Sequence, residues 1–120
     1  MKTENRARFL HELGEAYPDA TSAPESARTL VKIPKVHLPK GCMPPHTAAL
    51  VVIEDSSPNP QLYVKNLPKL PNGRAPRSTS AAQFAGEAWY SFSFNQPWEE
   101  DRHTALQLVE GRLRRFALNE

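Results

Sequence analysis

Thr47-Ala48-Ala49-Leu50-Val51-Val52-Ile53-Glu54 is the most apolar stretch of the chain. Its Val and Ile content favours a strand, and its lack of polar alternation makes that strand a central one. The unbroken run Ala48–Ile53 is too short to cross a membrane, since a spanning helix takes about 20 apolar residues. Upstream, residues 29–38 read as a second strand, with Leu30, Lys32 and Pro34 on one side and Val31, Ile33 and Lys35 on the other. Pro34 donates no ladder hydrogen bond, so this strand is expected at an edge or broken. Pro39 to Pro45 form a loop between the two. Downstream, Ser56-Ser57-Pro58-Asn59-Pro60 is a turn, and Gln61 to Leu67 is a third strand with Leu62, Val64 and Leu67 as its apolar side.

Farther out the pattern changes. Pro68, Pro71, Asn72-Gly73 and Pro76 interrupt any regular element, so residues 68–82 are expected to be irregular. Structureless segments of that length are uncommon in a compact domain and are often functional. An aromatic run follows, Phe84, Trp89, Tyr90, Phe92 and Phe94, with Trp98 close behind. At the start of the chain Phe9, Leu10, Leu13, Ala16 and Tyr17 recur at helical spacing, with Thr3 as N-cap and Gly14 weakening the last turn. At the other end Glu99, Glu100 and Asp101 suit the positive pole of a helix, and Arg112, Arg114 and Arg115 its negative pole. Leu106, Val109, Leu113 and Phe116 supply that helix's apolar stripe, supported by Ala105 and Ala117.

The expected layout is one α+β domain over 1–120. It has an N-terminal helix in 1–17, a linker at 18–27, strands in 28–67, an irregular and aromatic segment at 68–98, and a C-terminal helix at 99–118. The strands form an antiparallel meander with helix packed on it.

Length and composition agree with this. The chain has 120 residues, 39% apolar, 23% charged and 8% aromatic, enough for one modest core. Its first residues, Met1-Lys2-Thr3-Glu4-Asn5-Arg6, lack the apolar stretch of a secretory signal. A single cysteine, Cys42, leaves no internal disulfide and fits a reducing cytoplasmic setting. Charge is uneven. From Arg28 to Arg77 there are eight basic and two acidic residues, a local +6, whereas the flanks hold seven basic and eleven acidic ones, a local −4. Such a centre attracts an acidic partner or a nucleic acid, but no nucleic-acid module signature accompanies it, and a solvated basic surface is the plainer reading.

The residues between Leu38 and Leu113 resemble the ubiquitin-conjugating (E2) fold, and most closely a bacterial E2-like family called prokaryotic E2 family E. The resemblance is carried by Leu38-Pro39, Thr47 with Leu50-Val51-Val52-Ile53, Leu62-Tyr63-Val64, Leu70 and Asn72-Gly73. It continues through Pro76, Phe84, Gly86, Trp89, Phe92-Ser93 and Pro97-Trp98 into the last helix. It implies a cytoplasmic component of a bacterial ubiquitin-like conjugation system. Its partners would be an E1-like adenylating enzyme and a ubiquitin-like modifier, alongside a JAB-type peptidase; some such systems act in phage defence. No cofactor or metal is implied.

An E2 carries its modifier as a thioester, which takes a thiolate nucleophile, and an Asn donor steadies the oxyanion when a lysine attacks. In eukaryotic E2 proteins a His-Pro-Asn triplet precedes the cysteine. Here Leu70-Pro71-Asn72 stands in its place, and Arg77-Ser78-Thr79-Ser80 follows without a cysteine. Asn72, Gly73 and Ser80 are thus the active-site-loop equivalents, although Asn-Gly is also a common turn dipeptide. Cys42 is the one available thiol, with Lys40 to lower its pKa and His46 to act as base; an incidental packed cysteine is the competing reading. In the E2 layout its loop lies away from the active-site loop. His37, Cys42 and His46 are spaced like part of a metal site but lack a fourth ligand nearby, which His11 or His103 would have to supply from elsewhere. Phe9, with Leu10 and Leu13, is a candidate contact for an E1, against the alternative of packing on the sheet; Arg74 and Arg77 are candidate partner contacts.

Overall fold

A computed structural model describes residues 1–93 and 96–117. It is α+β: helix α1 (Thr3–Ala16), strands β1 (Thr21–Glu25), β2 (Arg28–His37), β3 (His46–Glu54), β4 (Gln61–Val64), β5 (Thr79–Phe84) and β6 (Glu87–Phe92), and helix α2 (Ala105–Leu113), which tightens into a 3-10 turn at Arg114–Ala117. The strands form one antiparallel sheet in the order β1-β2-β3-β4-β6-β5. The meander therefore holds through β4, after which the last hairpin enters with its second strand first.

The central placement of β3 is observed, and its pleat explains the architecture. Ala49, Val51 and Ile53 point to one face, where they join Val31, Ile33, Val36, Leu62, Val64 and Phe92 in a core closed by Phe9 and Leu13 of α1 and by Leu108, Val109, Leu113 and Phe116. Leu50 and Val52 point to the other face, where they meet Leu30, Phe84 and Trp89. Neither face of β3 is left to water.

The linker expected at 18–27 is instead largely strand: β1 pairs with β2 from Thr21↔Lys32 to Glu25↔Arg28. Its side chains are nearly all exposed, so the strand exists through its backbone ladder and leaves no apolar pattern. Pro24 is tolerated because β1 is an edge strand. The expected edge strand, β2, lies inside the sheet. Pro34 is accommodated there by a register shift between Ile33 and Val36, the kind of bulge at which a missing donor costs nothing. That shift also gives the helix-facing position to Val36 and leaves Lys35 exposed.

The irregular stretch expected at 68–82 ends at Ser78, because Thr79 onward pairs with β6 as β5. A two-residue turn joins these strands, with Ala85 at φ +50° and Gly86 at φ +78°, the double positive conformation that matches the twist of a hairpin. The hairpin curls over the second face so far that the Ala85 N–H donates to Glu25 Oε2 at 2.7 Å, on the opposite edge strand. Arg28 sits 4.6 Å above the Phe84 ring, and Lys65 and Lys32 lie 5.2 and 5.9 Å from the Trp89 ring.

The last helix begins at Ala105, not at residue 99, and Leu118 lies outside the described residues, as does Phe94. Thr104 and Gln107 form a reciprocal capping box that fixes the start. Glu99, Glu100 and Asp101 are consequently outside the helix. Glu100 and Asp101 serve α1 instead: Glu100 Oε2 accepts the Lys2 N–H, and both carboxylates accept from Asn5 Nδ2. They favour the positive pole of α1, whose N-cap is Lys2 in place of the expected Thr3. Leu106 leaves the expected apolar stripe for the surface, and Leu108 takes its place in the core.

Two outcomes test this packing. Phe116→Ala removes a fully buried ring and should lower unfolding free energy by about 3–5 kcal/mol, while Leu106→Ala should change it by less than about 0.5 kcal/mol, both read from urea denaturation. The Glu25 carboxyl is held below its usual range, first by its hydrogen bond from Arg28 and then by the Ala85 N–H. A lowered folded-state pKa contributes stability above the unfolded value and loses it as pH falls through the folded one. Glu25→Gln should therefore lower the melting temperature at neutral pH and converge with the parent in acid.

Candidate functional site

Two loops meet at the end of the sheet where β2 passes into β3 and the chain leaves β4. The first, Pro39 to Pro45, is closed by the Leu38 N–H to the Pro45 carbonyl at 2.9 Å and the Cys42 N–H to the Pro39 carbonyl at 3.1 Å. The second runs through Pro68-Lys69-Leu70-Pro71-Asn72-Gly73-Arg74. Met43 and Lys69 exchange both backbone hydrogen bonds, at 3.0 and 2.8 Å, in an isolated antiparallel bridge. Gly41 packs against Pro71, and a Cβ there would stand 2.9 Å from the proline Cβ; its φ of +98° also favours glycine. The E2 layout separates these loops, whereas here they are joined.

The second loop is built as a turn. Asn72 Oδ1 accepts the Arg74 N–H at 3.0 Å, and the Leu70 N–H donates to the Arg74 carbonyl at 2.8 Å. Gly73 has φ +82°, and its N–H returns to the Leu70 carbonyl. Leu70 is buried and anchors the turn to the core. Asn72 and Gly73 thus share this loop. Ser80 does not join them: it lies on β5, its Oγ 2.7 Å from that of Ser91 on β6.

Cys42 points inward. It is 2% exposed, belongs to the main core, and its Sγ donates to the Phe116 carbonyl at 3.4 Å. Burial pushes its thiol up from the usual range, the reverse of what a nucleophile needs. The lowering expected from Lys40 is therefore not observed. His46 is an exposed residue opposite His37 across β2 and β3. His11 pairs with Glu15 at 2.8 Å, and His103 Nδ1 accepts the Glu99 N–H, so the histidines are dispersed. Among the described residues no three His, Cys, Asp or Glu side chains gather to hold a metal ion.

Phe9, offered above as an E1 contact, is 2% exposed and packs edge-on against Trp98 at 5.5 Å; it belongs to the core. Arg74 and Arg77 are exposed. Two residues of this region carry no distinguishing signal in the sequence. Met43 is 65% exposed, and Lys69 is paired with it through the backbone. Arg112, expected as a cation at a helix end, is buried instead. Arg112 is 4% exposed, donates from Nη1 to the Pro60 carbonyl at 2.5 Å, and burial lowers its pKa to about 10. It lies beneath an open cleft of about 710 Å³ lined by residues such as Asn59, Gln61, Tyr63, Gln96 and Trp98.

No family model, curated protein or solved structure matches this chain. No helix among the described residues is long and apolar enough to cross a membrane.

The inward thiol has a direct test. Cys42 should react with a small aromatic disulfide reagent at least about 100-fold more slowly in the native protein than in urea, because attack requires an accessible thiolate.

Proposed function

We propose that the chain is an E2-like component of a bacterial ubiquitin-like conjugation pathway, one that binds an E1-like adenylating enzyme or a ubiquitin-like modifier without forming a thioester. The observation that carries the non-catalytic part is the position of Cys42, sealed under the Phe116 carbonyl with its thiol raised. The loop that stands for the active-site loop in the resemblance holds Asn72 and Gly73 in a closed turn, and Ser80 is in a strand. A hydroxyl is a weak nucleophile unless a base activates it, and Ser80 is bonded to another serine. The α+β layout, with an antiparallel sheet and a helix at each end of the chain, supports the E2-like part of the reading.

A charging assay with ATP, a bacterial E1-like enzyme and its tagged modifier tests this. The expected result is no thiol-reducible adduct on this chain, together with binding to the E1-like enzyme or the modifier that Cys42→Ser leaves within about twofold, since an inward side chain makes no partner contact. A reducible adduct that Cys42→Ser abolishes would overturn the non-catalytic reading. Absence of both adduct and binding would leave a protein-interaction domain unrelated to conjugation.

A further inference from the structure

We propose that the joined loops form a docking knob for an acidic protein surface that carries an apolar socket, with Met43 as the inserted side chain and Lys40 and Lys69 as the flanking cations. It goes beyond the reading above by naming the partner's chemistry, and it rests on that reading only for which protein the partner is.

Met43 is an apolar side chain displayed on a fixed backbone. Its neighbour Cys42 is anchored in the core, its own N–H and carbonyl are both bonded to Lys69, and Gly41 is pressed on Pro71. With the backbone already ordered, only the side chain has to be immobilised on binding, which lowers the cost of using it as an anchor. Among the described residues the only other large apolar side chain so exposed is Leu106, at 36%, on α2.

The charged residues of the two loops, Lys40, Lys69 and Arg74, are all basic. Lys69 is the bridge partner of Met43, Lys40 precedes Gly41, and Arg74 closes the turn that begins at Leu70. No Asp or Glu occurs from residue 26 to 53 or from 56 to 86, the two segments that supply both loops. Among the described residues no carboxylate forms an ion pair with Lys40 or Lys69. Such a rim steers an acidic surface, while the apolar centre supplies the contact that holds it. A nucleic acid fits less well. The knob's centre is a thioether, and the two loops contain no aromatic residue on which a base could stack.

The test uses the full chain and a fluorescein-labelled synthetic peptide of alternating Glu and Leu, read by fluorescence anisotropy. Two control peptides replace Glu by Gln or Leu by Ser, and a single-stranded oligonucleotide is run in parallel. Met43→Ser and Lys69→Glu should each weaken the Glu-Leu peptide by about tenfold or more, as loss of an interface anchor does. Leu106→Ser should leave it unchanged, both control peptides should bind more weakly, and added salt should weaken binding. Circular dichroism of each variant should match the parent, since only side chains are altered and the bridge is made by backbone. Binding unchanged by Met43→Ser, or an oligonucleotide bound more tightly than the peptide, would overturn the proposal. Because neither E1-like enzyme nor modifier is present, that failure is separate from a failure of the charging assay.

Discussion

The structure depends on the two-sided burial of β3. Ala49, Val51 and Ile53 and, between them, Leu50 and Val52 leave no face that water can occupy without loss. Helices cover one face, as in most α+β domains. The other face is covered by the chain's own last hairpin, which curls until Ala85 meets Glu25 and sets Trp89 over Leu50 and Leu30 in a second small core. Cations close the rim of that core through the aromatic faces, with Glu87 lying 3.4 Å from Lys32 and 3.9 Å from Lys65. A sheet used on both sides presents little flat surface to a partner. What projects from it are the loops at its ends.

The same economy of burial decides the chemistry of Cys42. A loop of three prolines and a glycine needs an anchor, and Cys42 supplies one by entering the core beside Phe116. A thiol in that setting resists ionisation, so the residue that fixes the loop is withdrawn from reaction. Anchoring Cys42 turns its successor outward: Met43 stands in solvent beside Lys69 because Cys42 does not. The loop thereby exchanges a reactive group for a recognition feature.

Much of this was legible in the residues. The Val- and Ile-rich run announced β3, helical spacing announced α1, and the turn chemistry of Asn72-Gly73 was read correctly from the dipeptide. The elements that escaped were those without an apolar signature. β1 and the Thr79–Gln83 run of β5 consist of small, polar or proline residues and are held by pairing with β2 and β6, with Phe84 at the end of β5 the one side chain buried in a core. The Ala85-Gly86 turn between Phe84 and Glu87 gives only the weak signal of its glycine, because alanine is an unusual residue at the positive φ that Ala85 adopts. Acidic residues at 99–101 mimic the first turn of a helix, but the Thr104-to-Gln107 spacing marks the actual cap of α2. At the candidate site, composition identified the basic centre but not Met43. Exposure of a single methionine follows from which way a loop is pinned, and that is settled by contacts between residues distant in sequence.

The account is tested most directly by NMR, through nuclear Overhauser contacts across the second face of the sheet. Coiling of the hairpin over that face predicts cross-peaks from the Phe84 and Trp89 ring protons to the methyl groups of Leu30 and Leu50. A spectrum lacking them, with Trp89 open to a soluble quencher, would show that face bare and contradict the two-sided architecture from which the loop end derives its role.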